Sequence, residues 1–215
     1  MHISIREPGS AITHFVAMIL AMGSAAPLLI KASEYGIIYT IAMFIFISSM
    51  ILLYGASATY HSLNVAPHII KIFRKIDHMM IFIMIAGSYT PVCLLVLDHH
   101  TGYRMLLAVW GVALFGILIK ALWITCPKWF SSILYIGMGW ICISAIKPII
   151  HTLSVQAFWW LLGGGLLYTV GGVIYALKLK VFNAKHEHFG SHEIFHLFIM
   201  AGSFCHFIFM YQYVI

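Results

Sequence analysis

His192 and His196 are four residues apart. In a helix that spacing puts both side chains on one face, with Cβ atoms about 5–6 Å apart, close enough to share one metal ion. Ser57 and His61 repeat the spacing, so a hydroxyl and an imidazole point into one space. Three neutral imidazoles and an open position form the donor set of a catalytic zinc site. A carboxylate such as Asp77 could orient a ligand or hold the attacking water. The expected cofactor is therefore zinc, with His61, His192 and His196 as metal ligands and Asp77 and Ser57 as the catalytic pair. Metal-free interhelical hydrogen bonding is the alternative for any one of these residues. The site exists only if the elements carrying residues 57–61, 77 and 192–196 converge.

Composition says what those elements are. Of 215 residues, 62% are apolar and only 8% charged, whereas a soluble domain carries about 25% charged residues. So few charges cannot cover a water-facing surface. A soluble enzyme, a disordered chain and a disulfide scaffold are excluded. The fold class is all-α, one integral membrane domain over 1–215. Its seven spans lie near 10–30, 38–62, 77–97, 104–124, 130–147, 157–177 and 191–213. Each approaches the roughly 20 residues that cross a bilayer as a helix, and the alternating pattern of a β-barrel is missing. The first apolar stretch is too long for a signal-peptide core, and Arg6 and Glu7 both flank it, so it is read as a span. Pro67 is expected to discourage helix continuation after the second span, and Lys120 to snorkel from the fourth.

The loop charges give an orientation. Arg6, Lys71, Arg74, Lys75, Lys120, Lys128, Lys178, Lys180 and Lys185 fall on the side of the N-terminus, against Lys31, Arg104 and Lys147 on the other. The positive-inside rule then puts the N-terminus in the cytoplasm and the C-terminus outside. The net charge of +6 is accounted for by juxtamembrane clusters facing anionic lipid headgroups. Membrane lipids, not nucleic acid, are the expected partners. The four cysteines, Cys93, Cys126, Cys142 and Cys205, form no C-x-x-C pair and read as apolar fillers. Ala17, Ala21 and Ala25, with glycines at 163–165 and 171–172, should let helices approach closely.

Thirteen histidines sort by depth. His2, His68, His99, His100, His151, His186 and His188 fall in expected loops or tails. His14, His61, His78, His192, His196 and His206 lie in or beside spans, where an ionisable group is costly and signals function by default. Helix ends carrying Ser57 and His61, Asp77, and His192 and His196 share the cytoplasmic layer. His14 lies in that layer without a spaced partner. His206 is ten residues beyond His196, about 15 Å along a helix, and is expected to be a buried hydrogen-bonding residue.

Two known patterns meet here. His192-Glu193-x-x-His196 matches the H-E-x-x-H helix of zinc proteases, with Glu193 as base, but neither Asp77 nor Asp98 is followed by Gly. Over nearly its whole length the chain also resembles the hemolysin III family, the bacterial branch of the progestin and adipoQ (adiponectin) receptor family. The resemblance rests on Thr13-His14, Ser57-x-x-x-His61, Lys75-Ile76-Asp77, Gly87-Ser88-Tyr89-Thr90-Pro91, His192-x-x-x-His196 and Cys205-His206. It implies seven helices, a cytoplasmic N-terminus, zinc on His61, His192 and His196, and a water near Asp77 and Ser57. It also implies a multi-pass protein of the bacterial cell membrane. Through the wider superfamily it extends to alkaline ceramidases, so a hydrolase of lipid amide bonds is expected. A cytolysin, and a sensor with structural zinc, are the non-enzymatic alternatives.

Overall fold

The computed structural model describes residues 5–177 and 190–215. Lys178, Lys180, Lys185, His2, His186 and His188 lie outside the described residues. Within them every regular element is helical, and seven helices are long and apolar enough to cross a membrane. In chain order they are α1 (Pro8–Tyr35), α2 (Ile37–Ser62), α3 (Pro67–Pro91, continued by a π turn, Val92–Val96) and α4 (His99–Leu122). The fifth crossing is compound: α5 (Lys128–Gly139), a 3₁₀ segment (Ile141–Ala145) and α6 (Ile146–Thr152). Then come α7 (Val155–Leu177) and α8 (Ser191–Phe209), which ends in a second π turn (Met210–Val214).

Local chemistry explains the joints. A single residue, Gly36, separates α1 from α2 at φ +114° and ψ 177°, a region essentially closed to residues with a Cβ. Pro148 lacks the N–H that would bond back to residue 144, and its ring crowds that carbonyl. The fifth crossing accordingly tightens to 3₁₀ geometry just before it. Asp98 caps α4, its carboxylate accepting from the Thr101 N–H at 3.0 Å.

Four expectations need correction. The third helix begins at Pro67, ten residues before the expected 77. A proline is well suited to the first turn, where its N–H is not needed, so Pro67 starts a helix instead of only ending one. His68 therefore lies in α3, His99 and His100 open α4, and His151 closes the compound fifth crossing, which runs to Thr152. Lys120 does not snorkel: it is fully buried, donating to Ser131 Oγ at 2.5 Å and Cys126 Sγ at 3.1 Å. Cys126 is thus a polar partner as well as a filler.

Each of the first four helices packs on the next, α7 packs on α8, and α1 returns to α8 to close the bundle. Ala17 and Ala21 lie buried in α1. Between α7 and α8 the approach depends on Gly164 and Gly202: a Cβ on either would come within 3.1 Å of the other's carbonyl oxygen. Gly163 and Gly165 meet nothing within 4 Å and have no part in that contact. The closure of α1 on α8 beside α2 brings three helix ends to one point.

A candidate metal centre at one end of the bundle

His61 ends α2, and His192 and His196 occupy the first two turns of α8. One nitrogen from each of the three lies within 4.8 Å of the others. His61 and His196 are buried and His192 is half-buried. The Nε2 atoms of His61 and His192 stand 3.3 Å apart. Two nitrogens each about 2.0–2.1 Å from a tetrahedral ion are separated by roughly 3.3–3.4 Å, so the donors present fit a zinc-sized ion.

Two of the three outward nitrogens are also engaged, while His192 Nδ1 has no hydrogen-bond partner among the described residues. His61 Nδ1 bonds to the Glu7 carboxylate, and the Glu7 backbone N–H donates to the His61 carbonyl at 3.1 Å. That side-chain bond holds the Glu7 carboxyl down at about 2, against the opposing effect of partial burial, with the neighbouring Arg6 guanidinium adding to it. Thr13 Oγ1 lies 3.2 Å from His196 Nδ1. The ring of His14 stacks on that of His196. A metal-ligating imidazole commonly donates its second N–H in this way.

Asp77 and Ser57 stand next to the histidines without joining them. Both are buried, and both face the same cavity. Because α3 begins at Pro67, Asp77 lies about three turns inside it. A cavity of about 200 Å³ opens beside them, its wall including Ser57, Asp77, His192, His196 and, farther along α8, His206. The rest of the wall is largely apolar, with Leu53, Ile81, Ile199 and Phe195 among its residues. His206 is buried as expected, its Nε2 3.3 Å from the Leu161 carbonyl. His78 is buried at the cavity wall, and its carbonyl accepts from the Tyr135 hydroxyl at 3.2 Å.

Glu193 points elsewhere. Its Oε1 accepts from Ser10 Oγ at 2.5 Å and its Oε2 from the Gly190 N–H at 2.8 Å. Both oxygens thus serve the α1–α8 contact and the start of α8, which is a capping role.

The residues that sequence reasoning left without a role are Glu7, Ser10 and the hydroxyl of Thr13. A signal was present: positions 7, 10, 13 and 14 follow the three-and-four spacing of one helix face, and that face is polar at the head of an otherwise apolar span.

Residues 3–207 match the family described as haemolysin-III related. The chain belongs to that family. Hemolysin-3 of Bacillus cereus is 36% identical over 210 residues, covering 97% of this chain and 92% of that protein. The hemolysin-3 homolog of Bacillus subtilis (strain 168) is 37% identical over 198 residues, 92% and 89% of the two chains. A more distant relative, the adiponectin receptor protein of Drosophila melanogaster, is 28% identical over 231 residues, 94% of this chain but 49% of its own. This haemolysin-III-related chain is thus a multi-pass membrane protein with a buried three-histidine group that could hold a metal ion.

Proposed function

We propose that this protein is a zinc-dependent hydrolase acting on amide bonds of membrane lipids, with the centre at the cytoplasmic face of the bacterial cell membrane. The observation that carries the reading is a group of three converging imidazoles beside a cavity whose wall includes two of them, His192 and His196, together with Asp77 and Ser57. A zinc ion bound by His61, His192 and His196 supplies Lewis acidity, polarising an amide carbonyl and acidifying water.

The chain's own residues supply the rest. Asp77 takes the proton of the attacking water and returns it to the amine nitrogen as the C–N bond breaks, a role worth about 10²–10⁴ in rate. Ser57, on the same cavity wall, offers its single proton to the oxyanion as negative charge develops there. The largely apolar cavity wall receives an acyl chain from the lipid side while the polar headgroup stays in the interfacial layer. The basic residues Arg6, Lys71, Arg74 and Lys75, set at the same helix ends, suit the anionic inner leaflet.

Metal analysis of purified protein, paired with turnover of a ceramide-like amide, tests this. Wild type is expected to hold zinc and hydrolyse the amide. Asp77→Ala should keep zinc and lose turnover, whereas His196→Ala should lose both. Zinc-loaded wild type without turnover leaves a structural or sensory centre; full metal content in His196→Ala refutes the ligand set. The names of the two Bacillus relatives favour a second reading, membrane lysis. Haemoglobin release from erythrocytes by purified protein, undiminished in Asp77→Ala, would support it over the hydrolase.

A further inference from the structure

We propose that the head of α1, from its N-cap Glu7 to Thr13, fixes the tautomers of two of the metal ligands, with Glu7 and Thr13 as the positioning residues. The inference rests on the metal reading above but not on turnover. It begins from hydrogen counting. Thr13 Oγ1 has one proton and lies 3.0 Å from both the Gly9 and Ser10 carbonyl oxygens, neither of which can donate. Its proton is therefore committed to α1's own backbone, which leaves the oxygen an acceptor. His196 Nδ1, 3.2 Å away, must then carry the hydrogen, and Nε2 must carry the lone pair.

Glu7 reaches the same result by charge. A carboxylate has only acceptor oxygens, and the one that Glu7 sets against His61 Nδ1 makes that nitrogen the donor. That again leaves Nε2 free, and Nε2 is the atom found 3.3 Å from its counterpart on His192. The two accepting groups come from one helix face and act on ligands carried by two other helices. Without them, each neutral ring would divide between tautomers, one of which puts a hydrogen where the metal bond must form.

Ser10 lies between them on that face and provides the control. Its hydroxyl binds Glu193, so it docks α1 on α8 without touching a ligand nitrogen. If helix docking alone mattered, all three contacts would count alike. If ligand tautomers matter, only two would.

The test is metal affinity of full-length protein in detergent, read by zinc competition with a chromophoric chelator and by the visible spectrum of the cobalt form. Glu7→Ala and Thr13→Val should each weaken zinc binding about 10- to 100-fold. Thr13→Ser restores the acceptor and should stay near wild type, as should Ser10→Ala. Thermal unfolding of the metal-free variants separates affinity from general loss of fold. The proposal is overturned if Glu7→Ala and Thr13→Val bind zinc like wild type, or if Ser10→Ala weakens binding as much as they do. Failure of the hydrolase reading would appear instead as metal-loaded wild type without turnover, and the affinity ratios would stand.

Discussion

His14 lies face to face with His196, ring centroids 3.5 Å apart and planes 9° from parallel, with Tyr54 edge-on to His14 at 5.1 Å. The His14 ring is buried, and neither of its nitrogens has a hydrogen-bond partner among the described residues. Its packing is that of an aromatic filler, although an unsatisfied buried polar atom costs about 1–3 kcal/mol. His14→Phe should therefore be at least as stable as wild type, while His14→Ala, which leaves a hole beside the ligand, should lose about 2–4 kcal/mol. Chemical unfolding in detergent measures both. Loss of stability in His14→Phe matching that of His14→Ala would show that a ring nitrogen is bonded.

Gly36 sets the return from α1 to α2. A Cβ there would touch nothing within 4 Å, so Gly36→Ala probes backbone strain alone, expected to cost about 1–3 kcal/mol. Gly23 is equally open but sits within α1. There alanine should stabilise by about 0.5–1 kcal/mol, because it loses less freedom on forming helix. Opposite signs for the two substitutions, measured by thermal unfolding, are the expected outcome.

The crossings were legible because charges are rare and fall between helices. Where charge and helix coincide, that reading fails. Lys71, Arg74 and Lys75 made the stretch before Asp77 look like loop, yet Ile69, Ile72 and Ile76 fall on one face of α3 and are exposed, an amphipathic pattern that continues the helix past the layer of the site. The histidine group was legible because an i, i+4 repeat is local. The contacts of Glu7 with His61 and of Thr13 with His196 span 54 and 183 residues, and nothing in local spacing signals a partner that far away. Lys120 failed for a related reason: its hydroxyl and thiol partners follow it across the turn into α5, and from α4 alone a lysine near a helix end looks free to reach the interface.

Glu193 decides between two chemistries that share a sequence pattern. As the base of an H-E-x-x-H centre it would be lost on amidation, with a fall in rate of about 10²–10⁴. As the cap that accepts from Ser10 and Gly190 it survives the change, because a glutamine oxygen still accepts one of those bonds. Glu193→Gln should thus retain its zinc and keep turnover within roughly a factor of ten. Metal content and amide hydrolysis assayed on one preparation distinguish the two roles.

Lys120 is the fully buried cation of the bundle's described part, and no carboxylate lies within ion-pair distance of it there. Ser131 and Cys126 accept two of its three hydrogens, but two neutral groups return little of the several kcal/mol that a buried charge loses with its water. Methionine keeps the length of the stem and removes the charge. Ser131 and Cys126 retain each other at 3.3 Å, and Ser131 retains the Pro127 carbonyl at 3.4 Å, so neither is orphaned. Lys120→Met should be neutral or stabilising by up to about 4 kcal/mol. Lys120→Ala, which also empties the space, should cost about 2–4 kcal/mol. If Lys120→Met instead destabilises as strongly as Lys120→Ala in the same unfolding assay, the ammonium is bound to an anion in the folded protein, and the charge itself holds α4 to α5.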